Sequence, residues 1–429
     1  MGTASSTRLG GRHAADDELM ALVHEAATNA GIDAVGVTDA APFLPARTAI
    51  LERKAAGLHA GMWFTYGRPE RSTEPSRILD GARSIVVCAR KYRGVQTHPD
   101  SAPPGSTHPD LNSHGITTPE STEGTVAAYV AEDAYGALAA GLERICEVLR
   151  NRGCAAVAVS DDNRLVDRAA AARAGLGWLG RNTMLLSDEL GSWTVLGAVV
   201  TTAVLPVAGA LQPDGCGSCR RCSVACPTGA LDVAGVLDAN RCFAWMLQAT
   251  GSFPAEFRVA LGDRLYGCDD CQVVCPYNED LGNETLGNET LGPTADTSRQ
   301  PVQLRDRAAV SRAPRVDVIG LLEMSDEQLM ATFGHWYIPR RRPEYLRRNA
   351  LVVLANVADP DAPDVEPVLR QALASTSAVV AAHAVWAARR LGHDDLVADA
   401  EHDGLGGNDP DGLVAAELLR RVPRRSGAV

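Results

Sequence analysis

The chain has 429 residues, enough at roughly 150 residues per domain for two or three domains. Hydrophobic residues make up 45% and charged residues 22%, the balance of a soluble globular protein whose core needs no disulfides. A formal net charge of −12 excludes a uniformly basic nucleic-acid binder and leaves only a local basic patch for such a contact.

Residues 1–17 carry Arg8 and Arg12 without an apolar run behind them, so no secretory or twin-arginine leader is expected and the protein is placed in the cytoplasm. Apolar periodicity then predicts a helix over 17–29, a strand over 34–37 and a helix over 48–58. The β-branched run SIVVCA at 84–89 reads as a buried strand. Residues 94–124, rich in Pro, Ser, Thr, His and Gly, are expected to form a mobile surface insertion. A helix over 134–152 follows, with Leu138, Leu142, Ile145 and Leu149 on one face, then a strand over 154–159, a helix over 165–174 and one or two strands over 193–204. Residues 190–213 carry no charge and are long enough to span a bilayer, but Thr201, Thr202, Pro206 and the valines favour a buried strand and a loop. The fold class is therefore α/β for residues 1–210, followed by a cysteine-rich segment over 211–292 and a linker with a helical domain over 293–429. The tandem LGNETLGNETLG at 281–292 is a polar loop. Helices over 345–357, 365–374, 378–391 and 412–421, separated by short loops, suggest HEAT-like pairs.

Eight of the eleven cysteines fall between Cys216 and Cys275, which reads as metal ligation in a reducing compartment. CGSCRRCSVACP at 216–227 is C-x2-C-x2-C-x3-C-P, the bacterial ferredoxin run, in which the last cysteine ligates the other cluster. CDDCQVVCP at 268–276 repeats the pattern with one member missing, which Cys242 supplies. Cross-ligation assigns Cys216, Cys219, Cys222 and Cys275 to one [4Fe–4S] cluster and Cys226, Cys242, Cys268 and Cys271 to a second. Structural zinc is the bland alternative for paired cysteines, and the triple run ending in Cys-Pro disfavours it. Cys88, Cys146 and Cys154 lie in strand or helix patterns and read as buried core thiols. Clusters alone would need a small fraction of the chain, so the preceding 200 or so residues point to an enzyme that uses the electrons.

With these residues in view, the sequence resembles the epoxyqueuosine reductases. AGLGWLGRNTMLL (174–186), GSWTVLGAVVT (191–201), RCFAWMLQATGSFPAEFR (241–258), LGDRLYGCDDCQVVCPYN (261–278), LRRNALVVLANV (346–357) and HAVWAARRLG (383–392) carry the likeness. The resemblance implies a nitroreductase-like cobalamin-binding domain, a two-cluster ferredoxin-like domain and C-terminal HEAT-like helices. It also implies reduction of the epoxide of epoxyqueuosine in tRNA to a cyclopentene. The cofactors would be cobalamin and two [4Fe–4S] clusters, electrons would come from an external low-potential donor, and the protein would be a monomer without membrane contact. Alignment to the family makes Asp161 the catalytic acid and a cobalamin neighbour, with Asp162 and Asp133 as competitors; Asp133 matches a second acidic position of the family. The other cobalamin contacts implied are Arg71, Asp133, Arg181, Leu185, Ser192, Leu196, Ala244 and Gly251, with Thr250 on the tRNA side. Arg181 stands where the family usually has lysine, and Phe243–Leu247 replaces a stretch that usually carries hydroxyls. Trp178 and Trp193 read as core packing.

HWYIPRRRPEYLRRN at 335–349 holds Arg340, Arg341, Arg342, Arg347 and Arg348 against Glu344, with Trp336 and Tyr337 interleaved. Such a segment can neutralise phosphates and stack unpaired bases, which makes it the predicted tRNA contact. The alternatives are a two-cluster electron carrier or tRNA-binding paralogue without cobalamin, and a reductive dehalogenase-like enzyme.

Overall fold

The computed structural model describes residues 6–92, 122–207, 211–279, 314–407 and 409–425, with side chains from residue 17 onward. Most of the predicted 94–124 insertion, the 281–292 duplication and the start of the linker lie outside the described residues. Nine strands occur among those described: β1 (Ala34–Asp39), β2 (Ser84–Lys91), β3 (Glu123–Val126), β4 (Ala156–Ser160), β5 (Trp178–Leu179), β6 (Leu185–Leu186), β7 (Thr194–Thr201), β8 (Arg264–Tyr266) and β9 (Arg315–Asp317).

The chain divides into two compact units, one of Met1–Val95, Glu132–Asn240 and Asp270–Arg307, the other of Gln96–Ala131, Arg241–Asp269 and Ala308–Val429. Of the predicted 211–292 segment, residues 211–240 and 270–279 fall in the first unit and Arg241–Asp269 in the second, where Phe243, Met246, Leu247, Phe253, Leu261 and Leu265 join the buried core.

In the first unit, β1, β2, β7 and β4 form a sheet in that order, antiparallel at every junction. Both faces are covered, which is why β2 and β7 read as near-continuous apolar runs instead of alternating ones. Helix Ala134–Asn151 lies on one face, its Leu138 and Leu142 so close to β7 that a Cβ at Gly197 would meet them at 3.1 and 2.7 Å. On the other face, Ile85, Val87, Leu196, Ala198 and Val200 pack with the alanines of helix Asp167–Arg173. A Cβ at Gly36 of β1 would stand 2.4 Å from the Ala174 carbonyl oxygen, so only glycine admits that close approach. The uncharged stretch that begins at residue 190 holds β7, and no helix of the described residues is long and apolar enough to cross a membrane. Cys88 and Cys146 are buried, and desolvation pushes their thiols up to about 12 and about 11. Cys154 is only half-buried, a correction to its reading as a core thiol: it falls in the turn before β4, not in the strand.

The second unit holds a three-stranded sheet in the order β8–β3–β9 and a stack of helices over Glu344–Val357, Val365–Leu373, Ala378–Leu391, Asp394–His402 and Leu413–Leu419. The first, second, third and fifth match the predicted periods; Asp394–His402 was not predicted. Neither were Val318–Glu323 and Asp326–Phe333, the latter opened by a capping box between Ser325 and Gln328. The sheet also escaped prediction, since its three-residue and four-residue strands are too short to show a period. Ser377 caps the third stacked helix at the Val380 amide and Gly392 ends it with a φ of +94°.

Candidate functional site

In the first unit, the Cys216, Cys219 and Cys222 thiols lie near enough to Cys275 to act on it electrostatically, although among the described residues no three such side chains are drawn in to the spacing of ligands on a single metal ion. Burial first, then the neighbouring Cys216, Cys222 and Cys219 thiols, pushes Cys275 up to about 11, against a backbone N–H from Tyr277. Helix Arg221–Ala225, which carries the third cysteine, and helix Asp270–Val273, which precedes the last, pack against each other. The Trp178 and Tyr277 rings meet edge to face at 4.9 Å, and the Tyr277 hydroxyl donates to the Gly215 carbonyl at 2.8 Å. Gly215 has to be glycine, because a Cβ there would lie 2.5 Å from the Trp178 ring. The Trp178 indole N–H is buried without a hydrogen-bond partner of its own, yet it and the Arg181 amide lie close enough to Cys216 to offset part of the upward push of burial on that thiol. An unspent N–H beside a thiol suits an iron–sulfur cluster, whose sulfurs accept such bonds and whose potential they raise. Trp178 is therefore core, as predicted, but with a polar end that sequence reasoning missed. Of the second predicted set, Cys226 and Cys271 lie in the first unit and Cys242 and Cys268 in the second.

At the end of β4 the backbone turns through Asp161, a non-glycine residue at φ +46°. A small pocket here is lined by Ser160, Asp161, Asp162, Leu165, Asp167, Leu196 and Ala198. Asp161 and Asp162 behave differently. Desolvation, then the charges of Asp167 and Asp162, raises Asp161 above its ordinary value. Asp162 is pushed up by burial but held below its ordinary value by the side chain and amide of Arg164 and by the charge of Arg71. Asp162 thus stays ionised and is a poor proton donor, while Asp161 is the better one. Ser160 adds a buried hydroxyl without a partner. The predicted residues Arg71, Asp161 and Leu196 therefore share one region of the unit.

Leu185 is buried on β6 in the same core cluster as Leu196. Other predicted residues are placed differently. Arg181 donates to the Gly217 carbonyl at 2.5 Å, so it ties down the cysteine loop. Ser192 is buried with its hydroxyl on Gln272 Oε1 at 2.9 Å and its amide on Asn278 Oδ1 at 2.7 Å; its polar groups hold the 272–278 segment and are not free for a ligand. Asp133 caps helix Ala134–Asn151 through the Gly136 amide and stands exposed in the loop before it.

In the second unit Ala244, Thr250 and Gly251 lie in and after the short helix Phe243–Met246, with Thr250 exposed and Gly251 at φ +82°. The basic segment needs correction at two positions. Arg348 is fully buried and donates to the carbonyls of Met246, Leu247, Ala249 and Gly251, so it does not reach a nucleic acid. Trp336 is also buried, against Tyr266 and Phe333 with its N–H on the Val130 carbonyl, leaving Tyr337 as the exposed aromatic. Helical phase carried the signal for Arg348: it falls in step with Tyr345, Val352 and Ala355 on the buried face. Arg340, Arg341 and Arg342 are exposed, the first two at φ +52° and +56°. Arg341 donates to the Gly334 carbonyl, Arg342 pairs with Glu344 at 2.8 Å and Arg347 with Asp326 at 2.5 Å.

Comparison with known proteins accords with these features. Residues 215–278 match the family model of the 4Fe-4S double cluster binding domain. The epoxyqueuosine reductase of Listeria monocytogenes is 30% identical over 386 residues, covering 88% of this chain and 90% of that protein. The chain belongs to the epoxyqueuosine reductase family. A solved epoxyqueuosine reductase with an epoxyqueuosine-modified tRNA-Tyr stem loop superposes with a TM-score of 0.75 at 26% identity, covering 94% of this chain and 98% of that one. The Bacillus subtilis member, solved with its aspartate catalytic loop swung out of the active site, has the same TM-score, identity and coverage. The family's double-cluster domain thus falls on the segment that holds the eight clustered cysteines here.

Proposed function

We propose that this protein reduces the epoxide of epoxyqueuosine in tRNA to the cyclopentene of queuosine. The observation that carries this reading is similarity to epoxyqueuosine reductases along almost the whole of both chains, with all eight predicted cluster ligands present. The reaction consumes two electrons and two protons and releases the epoxide oxygen as water. A cluster on Cys216, Cys219, Cys222 and Cys275, and a second on Cys226, Cys242, Cys268 and Cys271, would supply low-potential electrons one at a time from an external donor. Cobalamin, when bound, supplies a low-valent cobalt centre for reductive opening of the epoxide.

The fit of cobalamin rests on the end of the β-sheet, where the Ser160 hydroxyl lacks a partner and Arg71, Asp161 and Leu196 gather. Arg71 would help hold the group through its charge, and Leu185 and Leu196 through apolar contact. This assigns the first 210 residues as a nitroreductase-like cobalamin domain, 211–292 as the ferredoxin-like part and 293–429 as linker and HEAT-like helices.

Proton delivery falls to Asp161 or Asp133. The raised pKa of Asp161 keeps more of it protonated near neutrality. Asp133 stands in an exposed loop, as a catalytic aspartate that swings would, and only a helix-cap bond holds it. Asp161→Asn and Asp133→Asn, compared in single-turnover reduction of an epoxyqueuosine stem loop, separate the two. The donor's variant loses at least about 100-fold, and the other loses less. The exposed Arg340, Arg341 and Arg342, with Arg347 and Thr250, form the tRNA surface, in the cytoplasm where tRNA resides.

Mass spectrometry of tRNA from cells lacking this gene tests the whole reading. Epoxyqueuosine should accumulate and queuosine disappear; normal queuosine would overturn it. About eight irons and one cobalt per chain after anaerobic reconstitution separates the enzyme from a carrier without cobalamin.

A further inference from the structure

Segment Met246–Phe253 of the second unit has an unusual support. Four of its carbonyls, those of Met246, Leu247, Ala249 and Gly251, accept hydrogen bonds of 2.7–3.1 Å from the two terminal nitrogens of Arg348. Asn349 accepts from Arg348 Nε at 3.0 Å and donates to the Leu247 carbonyl at 3.0 Å. Past the turn, His383 Nε2 accepts the Phe253 amide at 3.1 Å and Arg258 donates to the Phe253 carbonyl at 3.0 Å. Arg348, Asn349 and His383 are each 0% exposed. Burying a guanidinium is expensive, and an apolar side chain would fill this face of the helix at lower cost. Only the planar five-donor fork of arginine can satisfy four carbonyls and an amide oxygen at once. With the carbonyls drawn inward, Thr250 is left exposed on the outer side of the turn.

We infer that Arg348 is a positioning residue: it grips the 246–251 backbone from inside and thereby sets Thr250 and Gly251 in the conformation that meets the substrate. The inference rests on the proposal that this segment faces tRNA. The sequence placed Arg348 among the phosphate contacts; the structure assigns it the support of such a contact.

The test uses the full-length protein with clusters and cobalamin reconstituted, as wild type, Arg348→Lys, Arg348→Met and Leu351→Ala. Leu351 is buried on the same helix, so its truncation serves as a control for reduced stability. Arg348→Lys keeps the charge and loses the fork. Amide hydrogen exchange in 247–253 should quicken about tenfold or more in both Arg348 variants relative to Leu351→Ala, at unchanged iron content. The rate constant kcat on an epoxyqueuosine stem loop should fall about 10- to 100-fold, while Leu351→Ala, corrected for folded fraction, matches wild type. Unchanged exchange in the Lys variant, or equal kcat loss in Arg348→Lys and Leu351→Ala at matched Tm, would overturn the inference. If wild type itself fails to reduce the stem loop, the proposed activity falls, and the exchange comparison still decides whether Arg348 orders the segment.

Discussion

At the scale of single residues, the protonation states follow from the hydrogen bonds that each side chain has available. His383 donates from Nδ1 to the Val379 carbonyl at 2.7 Å and accepts the Phe253 amide at Nε2, so the ring must be neutral. Burial, then the Arg258 charge, holds its pKa well below the usual histidine value. The unfolded chain takes up a proton on this ring near pH 6.5 and the folded one does not, so its contribution is complete above that pH and is lost as the pH falls. Below about pH 6.5 the second unit should therefore lose stability as the pH falls, and His383→Gln should remove that part of the slope in urea titrations. Asp161 has the opposite sense for a carboxyl. Its raised folded pKa means that the charged form is destabilising above the ordinary aspartate pKa. Asp161→Asn should therefore raise Tm at about pH 7, helped by the tolerance of asparagine for positive φ, and the gain should vanish below about pH 4.

Pairing decides matters at the scale of elements. Arg258 and Glu417 are 1% and 4% exposed and meet at 2.7 Å, which joins helix Leu413–Leu419 to the Arg258–Leu261 turn. Glu417→Leu leaves a buried guanidinium uncompensated and should cost about 3–5 kcal/mol in denaturant unfolding, much of it recovered by adding Arg258→Met. The cysteine assignment makes a prediction of the same kind. Cys222→Ser with Cys275→Ser removes two ligands of one proposed cluster and should leave about four irons per chain. Cys222→Ser with Cys226→Ser strikes both clusters and should leave fewer, although these two residues are only about one helical turn apart in sequence. Equal iron in the two double variants would refute cross-ligation. The long helices were legible because their apolar residues repeat over several turns, and β2 and β7 because they are continuous runs rich in β-branched residues. The short strands β3, β8 and β9 were not, because three or four residues carry no period and gain stability only from one another.

For the whole molecule, charge is the governing quantity. A net −12 repels a polyanion at long range, so tRNA has to be met by a concentrated patch. Two of its five arginines, Arg342 and Arg347, already have carboxylate partners, and Arg348 is internal. Arg340 and Arg341 therefore carry most of the free charge. Replacing Arg340–Arg342 with Ala should weaken stem-loop binding and reduce the slope of log Kd against log salt by roughly 0.7–0.9 for each phosphate no longer neutralised. An unchanged slope would remove this segment from the interface.

The sequence by itself determined the cluster chemistry and the longer elements, since both are written locally: thiols separated by two or three residues, helical apolar repeats with a period of about 3.6, and continuous β-branched runs for the buried strands. Tertiary structure alone decided which groups spend their polarity internally. Ser192 turned out to hold Gln272, Trp178 to aim an unspent N–H toward a thiol, and Arg348 to point inward at four carbonyls. No spacing rule reports this, because a hydrogen bond between residues far apart in the chain depends on where packing brings two backbones together. For the same reason the net charge of −12 was informative as a total and misleading at Arg348: a charge count cannot say which charges face water.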